Sequence, residues 1–335
     1  MPNFFTHCLC GEKTLELLED EKLRQVILSH RNVFTLGAQG PDILFYYRIW
    51  PWTDSMDVDK FGEALHSEKI SDFFRCALEY TDSISPDEKL ILTTYLMGYL
   101  CHYSLDSTAH PFVYYFCGFQ RSGENASNKY TYYHRLFETL VDILMLKREK
   151  NLGPYHFKPH SMIALSKLQY EAIGKMYSHI LGSVYGANIS TRQVVTAIKD
   201  MQGIYRTLWD KYGLKKPFFS LIERIINDKG AFTSTIYPHE ADDRLDLLNL
   251  SHSEWTLPWD NTSAKNSSFT EMFDGCAIET ARLWQAAFSF LEHASSIEAA
   301  VSVIGNRSFS TGLDCSLRLE FKYFDCIFER YGKYF

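Results

Sequence analysis

Apolar residues recur at intervals of three and four along most of this 335-residue chain, and no convincing set of alternating strands accompanies them. This spacing lines one face of a helix, so the sequence predicts an all-α protein built as a multi-helix bundle. Candidate helices cover 12–30, 60–81, 86–109, 129–150, 161–185, 191–212, 217–228, 268–294 and 313–331. The boundary signals include a Ser85-Pro86 start, a Ser190–Gln193 capping box, and stops at Gly186, Gly213 and Gly332.

Two long loops interrupt the helical pattern. Residues 31–59 contain a Gly-Pro-Asp turn, and residues 229–267 contain two prolines and two tryptophans, whose bulk favours an ordered loop. Apolar residues make up 46% of the chain, which is enough for a large core. No flexible linker marks a boundary near 215. We therefore predict a helical domain over 1–215 with a helical C-terminal extension, 216–335, packed on it, and one continuous domain is the alternative.

The charge balance argues against a polyanionic partner. The chain has 34 Lys+Arg and 41 Asp+Glu, a net charge of −7, so binding to long nucleic acid is not expected. The first residues lack the basic and apolar regions of a signal peptide, and no apolar run is long enough to span a membrane. Eight cysteines without a CxxC pair are typical of reduced thiols. We expect a cytoplasmic protein.

One segment of the third candidate helix concentrates groups that can hold a metal. His102, Asp106 and His110 follow at intervals of four, and helical residues four apart are neighbours on one face. His102 and Asp106 can therefore bind one cation together. Because His110 precedes Pro111, we expect the helix to end there.

The next candidate helix repeats the spacing with His134 and Glu138. Imidazole and carboxylate ligands are typical of catalytic zinc, whereas structural zinc uses more thiolates. A single His–acid pair at this spacing is usually a surface ion pair. Two pairs within apolar helices favour a metal centre, because burying these groups without compensation would cost several kcal/mol.

These motifs, taken in order, resemble the bacterial zinc-dependent phospholipase C family. The matching parts are MPNFFTH at 1–7, LGAQGPDILF at 36–45, His66, the HxxxDxxxHP segment at 102–111, and the HxxxE segment at 134–138. That family is similar in fold to the trinuclear-zinc single-strand nucleases and to the catalytic part of glycosylphosphatidylinositol phospholipase D. The resemblance implies an all-α bundle of the zinc-dependent phospholipase C type over 1–215.

The resemblance also implies ligands for two to three zinc ions per chain. The implied sets are Asp42, His66, His102 and Asp106 for one ion; His110, His134 and Glu138 for a second; and His7, Asp106 and the N-terminal amine, of Pro2 or of a retained Met1, for a third. Asp106 would bridge two of these ions. Asp42 is the residue expected to orient or deprotonate the attacking water.

The function that this resemblance implies is hydrolysis of phospholipid phosphodiester bonds by metal-activated water. A phosphodiesterase acting on nucleotides or single-stranded nucleic acid is one alternative, and a non-catalytic helical module with structural zinc is another. The aromatic stretches 45–52 and 112–116 offer a peripheral membrane contact as one interpretation and core packing as the other.

Overall fold

The computed structural model describes residues 4–50, 53, 58–121, 128–226, 228–242 and 244–331. Helices dominate these residues, as predicted, and they surround one long buried helix. The helices are α1 (Phe4–Leu17), α2 (Glu21–Ser29), α3 (Arg31–Gly37), α4 (Asp59–Ser67), α5 (Ile70–Asp82), α6 (Pro86–Cys117), α7 (Lys129–Lys150), α8 (Pro159–Met162), α9 (Lys167–Tyr185), α10 (Thr191–Leu208), α11 (Lys215–Ile226), α12 (Phe269–Leu291), α13 (Ile297–Ile304) and α14 (Ile327–Tyr331). Gly40–Tyr46 and Pro154–His156 form 3₁₀ helices.

The long helix α6 is the centre of the fold. It is buried almost all round from Ile91 to Cys117, as expected for a helix that is apolar on every face. Helices α1, α3, α7, α9 and α12 pack around it. Side chains on different faces of α6 therefore reach several neighbouring helices, and polar groups among them are brought into the core.

Local signals predicted several boundaries correctly. Helix α7 has the predicted bounds, and Ser190 with Gln193 forms a reciprocal capping box at the start of α10. Gly186 ends α9 in the left-handed conformation that glycine favours. The predicted stop at Gly332 lies outside the described residues.

The predicted helix 12–30 is wrong as a single element. Helix α1 begins at Phe4, and the chain leaves the helix after Leu17 before α2 starts. The Asp20 side chain accepts a hydrogen bond from Leu23 N at 2.9 Å. An aspartate that bonds to the backbone in this way starts a new helix rather than continuing the old one.

The predicted helix 313–331 is also wrong except at its end, where α14 forms. The preceding residues run as irregular chain over other elements. Their backbone N–H groups find partners there: Lys322 and Tyr323 donate to Pro258 O, and Asp325 donates to Tyr115 O. Because these bonds replace helical ones, tertiary contacts override the helical pattern.

The loop 229–267 is ordered where it is described. It contains two short antiparallel strands, β1 (Trp255–Leu257) and β2 (Asp260–Lys265), and Trp255 packs in the core against Phe112. The stretch 112–116 is part of α6, with Phe112 and Phe116 buried, so core packing is the correct interpretation there. Pro51 and Trp52 of the stretch 45–52 lie outside the described residues.

One apolar core extends from Phe4 to Phe328. It includes side chains from both sides of residue 215, and the domain boundary at that position stays a prediction. In the described part of the chain, none of the helices combines the length and apolar character needed to cross a bilayer.

Candidate metal centre

Three of the predicted ligands lie on one face of the central helix α6. His102, Asp106 and His110 follow at intervals of four residues, and their side chains are at most 4% exposed. Burying a carboxylate and imidazoles is costly unless they are paired or coordinate a metal. Each of these residues therefore needs a compensating group, and neighbouring elements bring further candidate ligands to them.

The prediction that α6 ends at His110 is wrong, because the helix continues through Pro111 to Cys117. Proline lacks the N–H that would bond to Ser107 O one turn earlier. A loop closes over this carbonyl so tightly that a Cβ on Gly312 would lie 2.1 Å from Ser107 O. Burial of Phe112 beyond the proline favours a continuous helix. His110 consequently stays on the same face as Asp106.

The first group of candidate ligands joins α1 to α6. His7 Nε2 lies 3.3 Å from Asp106 Oδ1, and His102 Nε2 lies 3.1 Å from Asp106 Oδ2. The two imidazole rings stack with centroids 4.2 Å apart. One donor atom from each of the three residues lies within 4.8 Å of the others. Asp106 thus presents its two oxygens to imidazoles from two different helices.

The second group consists of Asp42, His66 and His102. His66, at the end of α4, places Nε2 3.1 Å from Oδ1 of Asp42 in the 3₁₀ helix Gly40–Tyr46. Gly40 has a φ of 52°, and a Cβ there would lie 2.3 Å from the His102 ring. Glycine is therefore required for the turn that carries Asp42 to approach α6 so closely.

The third group consists of His110, His134 and Glu138. His134 Nε2 lies 2.7 Å from Glu138 Oε1, and His110 Nε2 lies 4.0 Å from the same oxygen. His110 Nδ1 is also 3.8 Å from Asp106 Oδ2. This last distance makes the third group adjoin the first, so the predicted side chains form one continuous centre across α1, α4, α6, α7 and the 3₁₀ helix.

The centre is closed around Asp106 and reached by solvent at two of its outer residues. The side chain of Asp106 is 0% exposed, whereas those of Asp42 and His134 are 16% and 21% exposed. A purely structural zinc site is fully ligated and closed, and a catalytic site keeps an accessible position. The exposure of Asp42 and His134 fits the second type.

Hydrogen bonds to backbone carbonyls orient three of the imidazoles. His66 Nδ1 pairs with Gly62 O at 2.6 Å, His102 Nδ1 with Ala38 O at 3.1 Å, and His110 Nδ1 with Phe309 O at 2.8 Å. A carbonyl only accepts, so each Nδ1 carries a proton and Nε2 is the nitrogen that can bind a metal. Each Nε2 faces a carboxylate oxygen, so a nitrogen and an oxygen ligand are presented together. Such outer hydrogen bonds commonly orient metal-binding histidines.

Electrostatics favour the metal-binding form of His7, His110 and Asp106, and His102 is the exception. Burial lowers the pKa of His7 to about 4, with His102 acting in the same direction, and burial lowers the pKa of His110 to about 3. Both imidazoles are therefore neutral at pH 7. Burial opposes ionisation of Asp106, but the imidazoles of His102 and His110 hold its pKa well below the usual range. Burial alone would lower the pKa of His102, yet the Asp106 carboxylate raises it.

The donor atoms fit zinc. Several buried atoms of the centre have no hydrogen-bond partner among the described residues: both ring nitrogens of His7, Oδ1 of Asp42, Nε2 of His102 and both carboxylate oxygens of Asp106. Such orphaned atoms are rare in protein interiors. Nitrogen and carboxylate oxygen are the ligand types of catalytic zinc. The predicted N-terminal amine ligand of Pro2 or Met1 lies outside the described residues, and the assignment of each ligand stays a prediction.

The sequence offered Asp142 as an acceptor for a metal-binding histidine or as an exposed helix charge, and both interpretations are wrong. This buried α7 carboxylate accepts hydrogen bonds from Phe5 N and Thr6 N, each at 2.8 Å, and from the hydroxyls of Thr6 and Tyr237. It therefore caps the first turn of α1 from a distant helix, directly before His7. Burial raises the pKa of Asp142 to about 6 against these hydrogen bonds. Its spacing of four from Glu138 is the only sequence signal that points to it.

A C-terminal segment also supports the centre without a sequence motif. Phe309 accepts from His110 Nδ1 through its carbonyl and donates its N–H to His66 O at 2.9 Å. Its ring packs against those of His66 and His102 at centroid distances of 5.0 and 5.7 Å. One residue thus links helices α4 and α6 at the point where their candidate ligands meet.

Gly312→Ala is expected to weaken the centre through Phe309. A Cβ at Gly312 would meet Ser107 O, and the backbone there has a φ of 69°. We expect a loss of about 2–4 kcal/mol in the free energy of unfolding and a zinc affinity roughly tenfold to a hundredfold lower. Urea unfolding and zinc titration measure these effects.

Gly186→Ala is the matched control. Its φ is 67° and a Cβ there would have nothing within 4 Å, so the substitution should cost about 1 kcal/mol without changing zinc affinity. Equal effects of the two substitutions would contradict the role of the Phe309 segment.

The helices bring together three adjoining groups of imidazoles and carboxylates. The protein is therefore an all-α protein with a candidate multinuclear metal centre. A family model described as zinc dependent phospholipase C matches residues 6–212, more than half of the chain. The chain therefore belongs to the zinc-dependent phospholipase C family, as its motifs had predicted. No curated protein and no solved structure matches the chain significantly.

Proposed function

We propose that this protein is a zinc-dependent phosphodiesterase of the phospholipase C type, which cleaves a phospholipid into diacylglycerol and a phosphorylated head group. The observation that carries the proposal is the position of Asp106. Its two oxygens face His7 and His102 at 3.3 and 3.1 Å, and His110 lies 3.8 Å away. A carboxylate between imidazoles on several sides is suited to bridging two cations.

Two to three zinc ions would be held by this set of side chains. We assign Asp42, His66, His102 and Asp106 to one ion and His110, His134 and Glu138 to a second. His7, Asp106 and the N-terminal amine, which lies outside the described residues, are assigned to a third. When bound, zinc supplies Lewis-acid chemistry that activates water and neutralises charge on a phosphodiester. The Nε2 atoms oriented by Ala38 O, Gly62 O and Phe309 O support this assignment.

Asp42 is our candidate for the catalytic base. Its carboxylate is 16% exposed, so water can reach it, and its Oδ1 lies 3.1 Å from His66 Nε2. In the proposed reaction the water oxygen bonds to phosphorus and its proton passes to Asp42. The bond between phosphorus and the glycerol oxygen breaks, and the leaving oxygen then takes the proton.

Purified protein is expected to contain about two to three zinc equivalents by elemental analysis and to hydrolyse phosphatidylcholine vesicles in preference to single-stranded DNA. The donor set favours several ions, and the net charge of −7 disfavours a long polyanion. Removing zinc with a chelator should abolish hydrolysis, and adding zinc back should restore it.

Each result can contradict the proposal separately. Less than one zinc equivalent would reject the multinuclear centre. Preference for DNA would favour the nucleic-acid alternative, and full zinc with no hydrolysis of either substrate would favour a structural role for the metal.

A further inference from the structure

Helix α11 presents an unusual apolar surface to solvent. Leu214, just before the helix, and Phe218, Leu221 and Ile225 follow at intervals of four, three and four, which places them in one stripe. Their exposed fractions are 76, 60, 57 and 76%. Single exposed apolar side chains are ordinary, but a continuous stripe of large ones marks an interaction surface.

The opposite face of α11 is firmly attached to the protein. Phe219 packs against Phe232 with ring centroids 5.3 Å apart and joins a small buried cluster around Ile204 and Leu208. Buried Glu223 accepts hydrogen bonds from the N–H groups of Phe232 and Thr233, at 2.7 and 2.6 Å. The helix therefore has a fixed orientation, and the exposed stripe is a consequence of that orientation.

The start of the helix is also held in place. Buried Asp210 accepts hydrogen bonds from Leu214 N, Lys215 N and Lys216 N at 2.8–2.9 Å. A carboxylate at this position satisfies the first N–H groups of a helix. Both ends of the apolar stripe thus lie on a rigid element.

The exposed charge around the stripe is mainly basic, although the chain as a whole carries −7. Lys211 and Arg224 are exposed, whereas the nearby acids Asp210 and Glu223 are buried against backbone N–H groups. A third acid, Asp228, is exposed and accepts from Asn128 Nδ2. Further basic residues lie near the start of α11. Lys215 is the first residue of the helix, and together with Arg206 and Lys158 it contributes, after burial, to a lowered pKa of His160.

We propose that α11 docks this protein on a phospholipid membrane that contains anionic lipid. In this arrangement the stripe Leu214, Phe218, Leu221 and Ile225 enters the boundary between head groups and acyl chains, and the basic residues lie among the head groups. A helix with an apolar face and basic neighbours is suited to such an interface. The inference rests on the proposed function, since it places the enzyme on the surface that contains its substrate.

The same helix is connected to the candidate metal centre. Tyr46 and Trp50 pack on the cluster that holds the inner face of α11, and Tyr46 is the last residue of the 3₁₀ helix that carries Asp42. After α11 the chain reaches α7, where Thr139, next to Glu138, donates to Ser234 O at 3.0 Å. Docking through α11 would therefore hold elements of the centre close to the membrane.

The test is flotation of the zinc-loaded protein with vesicles of phosphatidylcholine, with and without phosphatidylserine at about one lipid in five. We expect the wild type to float with the anionic vesicles, less so with added salt. The double substitution Phe218→Glu/Ile225→Glu should lower the bound fraction about tenfold or more. Ile278→Glu, on α12, is the matched control because Ile278 is 67% exposed, and it should bind like the wild type.

A soluble nitrophenyl phosphodiester separates docking from catalysis. The double variant should hydrolyse it within about twofold of the wild-type rate, because the substituted side chains point to solvent.

Wild-type protein that does not float, or a double variant that floats equally well, would overturn the docking proposal. A wild-type dimer in sedimentation velocity that the variant loses, without flotation, would identify a second copy as the occupant and also overturn it. Flotation without phosphatidylcholine hydrolysis would contradict the proposed function and leave docking supported.

Discussion

Asp106→Asn is expected to remove zinc from the centre and to lower phosphodiester hydrolysis by roughly a thousandfold or more. The buried carboxylate of Asp106 faces His7 through one oxygen and His102 through the other. Asparagine keeps the size of the side chain but loses the negative charge and one acceptor oxygen. Elemental analysis and turnover of a nitrophenyl phosphodiester measure the two losses.

Asp274→Asn provides the control for this substitution. Asp274 pairs with Lys13 at the surface and is 43% exposed, so its replacement should leave zinc content and turnover unchanged. An Asp106→Asn protein with wild-type zinc and turnover would contradict the bridging role of Asp106 and with it the proposed function.

Asp142→Ala is expected to lower the free energy of unfolding by about 3–5 kcal/mol and to weaken zinc binding at the group that contains His7. The substitution leaves Phe5 N, Thr6 N and two hydroxyls without their acceptor in the protein interior. The start of α1 would then lose its cap, and His7 follows directly after it. Urea unfolding gives the stability, and zinc titration gives the affinity of the weakest site.

Asp210→Ala is the matched control, because Asp210 also caps a helix from a buried position but lies at α11. It should lower stability and leave zinc content unchanged. Tyr237→Phe removes a single donor to Asp142 and should shift zinc affinity in the same direction as Asp142→Ala, by less. Destabilisation by Asp142→Ala with wild-type zinc affinity would show that α1 positions His7 without this cap.

The elements predicted best from the sequence are those with strong local signals. Helix α7 begins and ends where its periodicity does, and the Ser190–Gln193 box starts α10 as expected. The pairs His102–Asp106 and His134–Glu138 were recognisable because residues four apart on a helix are neighbours in any fold.

The errors occurred where distant contacts override a local preference. Pro111 was expected to end α6, but residues on both sides of it are buried and the helix continues to Cys117. Helical spacing over 313–331 yields to irregular chain, since backbone groups there bond to Pro258 O and Tyr115 O. Neither outcome can be calculated from neighbouring residues alone.

The helical class, the candidate ligand pairs on α6 and α7 and the family could be predicted from the sequence itself, because each depends on residue types at short, regular spacing. The contacts that hold the candidate ligands in place were decided only by the tertiary structure. Asp142 caps α1 across 137 residues, and the Phe309 carbonyl orients His110 across 199. Such contacts carry no spacing signal, because they depend on how whole helices pack rather than on the geometry of any one of them.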